Sequence, residues 1–216
     1  LFAQGSKDFL QDRLALSFGF RMDGDTFIKG SNLLKTFSPR ASASYALTPS
    51  WKLNGTAGVY YKIPPYTMLG FQNNAQEFLN QDLDYTRSTH LVLGVEKILN
   101  PTARVSLEGF YKYYSDYPVS LEDGVSIANK GAGFEVLGNE AIASVGKGKA
   151  YGLELLWQQK LMDRFFGIFS YTYFYSTFSG LDPKVFRPSV WDSRHLASFT
   201  TGYKLPRTWE VSARHR

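Results

Sequence analysis

His90, His195 and His215 are the only imidazoles in the 216-residue chain, and it contains no cysteine. A zinc hydrolase needs two histidines one helical turn apart, as in His-Glu-x-x-His, and that spacing does not occur. The absence of thiols excludes a disulfide framework, a thiolate metal site and a thiol nucleophile. Ser193 and Ser198 lie close to His195 in sequence, the minimum for a hydroxyl nucleophile beside its base. A polar cluster at a loop end accounts for the same three residues. The stretch GKGKAYG, Gly146–Gly152, approaches a dinucleotide fingerprint, but its third glycine falls one place late and a strand follows where a helix is required. It reads as a flexible loop re-entering a strand. Asn54-Gly55-Thr56 is a formal glycosylation sequon inside a predicted strand and is discounted. Asp82, Asp84, Asp182 and Asp192 lack the spacing of a calcium loop. No catalytic residue, metal ligand or cofactor site is assigned, and these residues perform no covalent chemistry.

The remaining chemistry is binding. Glu96, Arg104, Glu108, Lys112, Glu154 and Arg194 fall on the polar sides of alternating segments, where they can contact a ligand or pair across strands. A cross-strand pair contributes about 0.2–1 kcal/mol. Two long connections mix aromatic, amide and basic groups. Tyr66, Asn73 and Asn74 lie in YTMLGFQNNAQEFLNQDLDY, part of which is expected as a short helix. Arg187, Trp191 and Arg194 lie in FRPSVWDSRH. Tyr66, Asn73, Asn74, Trp191, Arg194, Arg104 and Glu108 are the candidate ligand contacts. Such loops suit sugars, peptides and chelates alike.

The positioning elements are strands. Nine alternating segments are predicted, at roughly 13–23, 39–47, 51–63, 86–99, 103–115, 149–160, 164–178, 194–205 and 208–216. Apolar residues take the odd positions in nearly all of them and the even positions in the first. Leu91, Leu93, Val95, Val105, Leu107 and Tyr111 oppose His90, Glu96, Arg104, Glu108 and Lys112. Several segments reach the roughly 9–11 residues that a tilted strand needs to cross a bilayer, beyond the usual soluble length. Short turns at Thr48-Pro49-Ser50, Asn100-Pro101-Thr102, Met162-Asp163 and Pro206-Arg207 alternate with long connections at 24–38, 64–85, 116–148 and 179–193. Tyr45, Trp51, Trp157, Phe165, Phe166, Tyr203 and Trp209 gather near the short turns. Tyr60, Tyr61, Tyr113, Tyr114, Tyr171, Tyr173 and Tyr175 gather toward the long loops, giving two expected aromatic girdles. The greasy face is therefore expected to meet lipid, and the charged face a polar lumen.

Composition agrees. Apolar residues make up 44% and charged residues 20%, which excludes a disordered chain. No stretch approaches the roughly 18–20 apolar residues of a membrane helix. The net charge of +5 is scattered rather than clustered, which argues against nucleic acid as a partner. LFAQGSKDF is not a signal peptide, so the chain is either cytosolic or has had its start removed.

Four runs carry a family resemblance. SPRASASYALTPSWKLNGTAGVYYKIPP (38–65), HLVLGVEKILNPTARVSLEGFYKYYSDYP (90–118), GKAYGLELLWQQKL with FSYTYFYSTF, and WDSRHLASFTTGYKLPRTWEVSARHR together resemble the barrel of TonB-dependent outer-membrane receptors, in a Bacteroidetes-type flavour. The resemblance implies an all-β, antiparallel, up-and-down transmembrane β-barrel in the bacterial outer membrane. It implies 22 strands in the whole barrel, of which about nine are here. It implies energised uptake of a scarce nutrient (siderophore, cofactor, glycan or peptide), with force from the TonB complex acting through an N-terminal plug. The partners implied are outer-membrane lipid, the TonB complex, a small-molecule or oligomeric ligand and a surface lipoprotein. In a plugged barrel the lumen charges can equally hydrogen-bond the plug. No plug sequence, TonB box or closing strand is found, so residues 1–216 are expected to be a partial barrel domain from the barrel's second half. The rivals are a passive porin-like or adhesin-type barrel, a soluble carbohydrate-binding β-sandwich and, last, an outer-membrane enzyme.

Overall fold

The structure is a computed structural model and describes residues 1–131 and 136–216. One antiparallel sheet contains β1 (Phe2–Phe9), β2 (Leu14–Arg21), β3 (Ser38–Thr48), β4 (Trp51–Lys62), β5 (Thr86–Asn100), β6 (Ala103–Ser120), β7 (Ile142–Met162), β8 (Phe165–Ser179), β9 (Phe186–Pro188), β10 (His195–Lys204) and β11 (Glu210–His215). The strands follow chain order across the sheet, except that β9 pairs with the outer end of β8 beside β10. The sheet is open, with β1 and β11 as its edges.

All nine predicted strands are present. β1 and β9 are additional. β1 is FAQGSKDF, whose run of Gly, Ser, Lys and Asp hides its alternation. β7 begins at Ile142, so the expected re-entrant loop GKGKAYG is strand. Its glycines make room for neighbouring rings: a Cβ on Gly148 would collide with Phe178, and one on Gly152 with the Tyr173 carbonyl and Phe174. The short connections at 10–13, 49–50, 101–102, 163–164 and 205–209 lie at one end of the sheet. The long ones, 22–37, 63–85, the described parts of 121–141, and 180–194, lie at the other. Arg207 and Thr208 both take positive φ in the three-residue turn that the Leu205 N–H closes by donating to the Trp209 carbonyl.

Register carries the apolar parity unbroken across the sheet. Leu16 pairs with Ala43, Ala43 with Gly55, Gly55 with Leu93, Leu93 with Gly109, Gly109 with Leu153 and Leu153 with Tyr173. The opposite face runs Ser44, Asn54, Gly94, Glu108, Glu154 and Thr172. The first row is bare: Phe18 is 58% exposed, Leu93 61% and Leu153 54%. No helix or second sheet covers these residues among the described residues. An apolar face of this extent marks a membrane surface rather than a soluble exterior. A soluble β-sandwich would bury it against a second layer.

The outer girdle differs from expectation. Tyr61, Tyr111, Tyr113, Tyr151, Tyr173 and Tyr175 share the apolar parity, whereas Tyr60 and Tyr114 share that of Glu108 and face the polar side. Phe166, opposite Gly202, also lies on the polar side. Adjacent aromatic residues in one strand must point to opposite faces, so each Tyr-Tyr pair places only one ring in the girdle.

Candidate functional site

The buried apolar core lies in the long loops. Ile28, Met68, Leu69, Leu83, Ile127 and Ile142 pack together, with Phe27, Ile63, Tyr85 and Leu137 against them. These residues come from three successive long connections and the start of β7. Asn80 is fully buried at their centre. Its amide donates to the carbonyls of Met68 (2.8 Å) and Glu140 (2.8 Å), and its oxygen accepts from the Ile142 N–H (3.0 Å). The Lys29 N–H donates to the Gln81 carbonyl at 2.8 Å, tying the first long loop to the second. The fourth loop is tied in by the Asn129 amide, which donates to the carbonyls of Arg187 (3.1 Å) and Pro188 (2.7 Å). The described parts of the four long loops therefore form one packed layer at the long-loop end of the sheet.

Ionic contacts brace that layer. Lys130 lies 2.8 Å from both Asp123 and Glu140, and the Ser120 hydroxyl also donates to Glu140. Burial pulls the Lys130 ammonium down, but its hydrogen bonds to the two carboxylates outweigh this and hold it above its ordinary value. The Lys130 hydrogen bond keeps Asp123 below the usual carboxylate range. The Tyr66 hydroxyl donates to Asp25 at 2.5 Å. That bond holds Asp25 down and raises the Tyr66 phenol.

Beneath the loops, the polar face carries a cavity of about 600 Å³ lined by Glu108, Lys112, Tyr114, Glu154, Phe178 and Trp191 among others. Trp191 reaches it from the fourth long loop and is 54% exposed. Glu108 and Glu154 are directly opposite across β6 and β7. Like charges so placed destabilise a sheet unless something compensates them. Neither forms a salt bridge among the described residues. Beside the cavity, the Arg40 guanidinium lies 4.3 Å from the Tyr60 ring centroid. The Tyr60 ring centroid lies 4.5 Å from that of His90, with the rings tilted by 34°, and Ser88 hydrogen-bonds His90 Nε2 at 2.6 Å.

The residues singled out from sequence fall in three places. Glu108 and Trp191 meet at the cavity. Arg104 lies nearer the short turns, held by Glu96 (3.0 Å) and Gln158 (2.9 Å). Tyr66, Asn73 and Asn74 lie in the loop layer, where the Asn73 amide donates to Glu77 at 2.9 Å and Asn74 is exposed. Arg194 has a positive φ of 57°, and its guanidinium stacks 3.8 Å from the centroid of Tyr175, on the apolar face. It pairs with Asp192 at 3.2 Å and sits at the outer rim, not in the lumen as its strand parity implied. His195 and Ser198 are not a nucleophile pair: Tyr171 binds His195 Nδ1 at 2.6 Å, and Ser198 bonds Ser170 at 2.8 Å on the other face. Sequence reasoning missed Asn80, Glu140 and Arg40. Asn80 looks like any of several amides in a polar loop, and only the fold brings its three partners together.

Residues 1–216 match the family model described as TonB dependent receptor-like, beta-barrel. No curated protein matches the chain in sequence. Among solved structures, it is similar to the alcaligin outer-membrane receptor FauA from Bordetella pertussis (18% identity, TM-score 0.60, 99% of this chain and 36% of that one). It is also similar to the pyoverdine outer-membrane receptor FpvA from Pseudomonas aeruginosa PAO1, solved bound to pyoverdine (13%, 0.64, 99% and 33%). A third is the FrpB iron transporter from Neisseria meningitidis (11%, 0.62, 99% and 31%). At these identities the likeness is one of fold. The chain spans about a third of the length of these receptors.

Proposed function

Because this chain belongs to the TonB-dependent receptor β-barrel family, whose members are bacterial outer-membrane proteins, we propose that it supplies wall and outer loops to a receptor taking up a scarce nutrient. The ligand is a siderophore, cofactor, glycan or peptide, and the TonB complex delivers the force through a plug domain. On this reading residues 1–216 are a partial barrel domain, and the remaining strands and the plug belong to the rest of the receptor. The chain does no covalent chemistry. The apolar face meets outer-membrane lipid, and a surface lipoprotein is a fitting partner for the loop layer. The sequence flavour favours a Bacteroidetes-type source.

The observation that carries this reading is the cavity between the loop layer and the polar wall. Its size suits a small ligand. Its lining mixes aromatic rings with Glu108, Glu154 and Lys112. Capture begins on the loops, around Tyr66, Asn73 and Asn74, and passes to Trp191 and Glu108 in the lumen. Arg104 continues the polar path, and Arg194 holds the fourth loop against the rim.

The reading is checked by growth of a strain that depends on the full-length receptor, across a panel of limiting nutrients. One nutrient should support growth only with both receptor and TonB intact. Trp191→Ala and the pair Glu108→Gln with Glu154→Gln should reduce its uptake without reducing surface display. Growth independent of TonB would instead indicate a passive pore.

A further inference from the structure

The apolar face is not uniform. Between Leu16 and Phe18 on β2 and Leu91 and Leu93 on β5 lies a groove of about 730 Å³. Its floor is Ala41 and Ala43 on β3 with Gly55 and Ala57 on β4, which pair directly in register. The two ridges are three strand spacings apart, about 14 Å. Farther along this face large side chains meet in places, such as Leu107 opposite Leu155, and a smaller groove of about 490 Å³ lies over Gly109.

Basic residues run from the groove toward the short turns. Three cations there each lie over an aromatic ring of the apolar face: Lys7 over Phe9 (5.2 Å), Arg13 over Tyr45 (5.5 Å) and Lys97 over Trp51 (4.9 Å). Arg13 is also fixed by donating to the carbonyls of Ala46 (3.2 Å) and Leu47 (3.1 Å). The neighbouring acids do not neutralise them. Asp8 and Glu96 are on the opposite face by register, Glu96 pairs with Arg104, and Asp12 forms no salt bridge among the described residues. Cations and rings at a membrane interface anchor a barrel in general. Here Lys7 and Phe9 line the groove itself, and the other two pairs follow it toward the short turns. In this family's orientation the short turns face the periplasm.

We propose that the groove binds one anionic glycerophospholipid of the periplasm-facing leaflet. Its acyl chains lie on Ala41, Ala43, Gly55 and Ala57, and its phosphate lies between Lys7 at the groove and the cations that follow toward the short turns. This rests on the apolar face meeting lipid.

The experiment uses the full-length receptor in nanodiscs of mixed phosphatidylglycerol and phosphatidylethanolamine, with retained lipid identified by native mass spectrometry after extraction. The wild type should enrich phosphatidylglycerol. The triple variant K7Q/R13Q/K97Q should lose that preference, by about fivefold for each cation removed. A43F/A57F keeps the cations but fills the groove, and should retain less of both lipids. K149Q, on the apolar parity near the long loops, should behave as wild type. Heat-shift on a gel confirms that each variant is folded. Unchanged phosphatidylglycerol enrichment in the triple variant, or unchanged retention in folded A43F/A57F, overturns the proposal. Leu155→Cys, away from the groove, separates the two failures. If it labels with a water-soluble maleimide, the lipid-facing assignment has failed too. If it stays protected while lipid retention is unaltered in the variants, only the groove is refuted.

Discussion

Replacing Asn80 should loosen the outer loops while leaving the wall intact. The side chain is fully buried and makes three hydrogen bonds, at 2.8, 2.8 and 3.0 Å, to backbone groups of Met68, Glu140 and Ile142. Each contributes about 0.5–1.5 kcal/mol net, and alanine leaves two carbonyls and one N–H without their partner in an apolar core. The sum is about 2–4 kcal/mol, confined to the loop layer because Asn80 touches no central strand position. In Asn80→Ala, amide hydrogen exchange in residues 66–85 and at Ile142 should accelerate by a factor of about thirty to several hundred. Exchange at Leu107 and Leu155, deep in the sheet, should not change. Asn80→Asp keeps an acceptor for Ile142 but loses both donors, so it should fall no nearer to wild type than a third of the way. If the loop amides of Asn80→Ala exchange at the wild-type rate, the loops are not held by this core, and the case for a preorganised capture layer fails with it.

Three further outcomes are expected. Leu93→Arg, which puts a charge on the lipid face, should lower barrel stability by about 2–4 kcal/mol in urea titrations in lipid vesicles. Ser44→Arg, on the polar face, should cost far less, and equal losses would contradict the assignment of faces. The Asp25–Tyr66 contact should depend on pH at both extremes. Asp25 is depressed, so its contribution is full above the ordinary value of 3.8 and disappears as pH falls through its lower folded value. Tyr66 is raised above 10.0, so its contribution is full below 10.0 and is lost as pH rises through the folded value. Loop proteolysis against pH should show both limbs, and Asp25→Asn should remove the acid one.

The wall was legible in the sequence because a strand with one face in lipid and one in water must alternate. Leu91, Leu93 and Val95 against His90 and Glu96 needed no tertiary information to be sorted. β1 was not legible, because Gly5 and Lys7 occupy lipid-facing positions where a leucine would have exposed the period. Lys7 is tolerated there because its stem lies along Phe9 at the interface. The glycines of β7 read as loop because their purpose, receiving Phe178 and Phe174, lies on the next strand. The cavity was legible in part. Glu108 and Trp191 were identifiable by type, but Arg194 was not placed, since its left-handed backbone turns the side chain to Tyr175 on the outer face. The loop core was invisible, because Ile28, Met68, Leu83 and Ile127 are scattered over about a hundred residues without periodicity.

The account depends on which face of the sheet is wet, and cysteine labelling reads this directly because the chain has no cysteine of its own. Single cysteines at Leu93, Leu107 and Leu155, and at Ser44, Glu108 and Glu154, would be introduced into the full-length receptor in lipid vesicles. Each would be exposed to a charged, water-soluble maleimide and to a lipid-partitioning one. The account predicts that the first three react only with the lipid-partitioning reagent and the second three with the water-soluble one. Rapid reaction of Leu93→Cys and Leu155→Cys with the water-soluble reagent, at rates like that of Glu108→Cys, would contradict it.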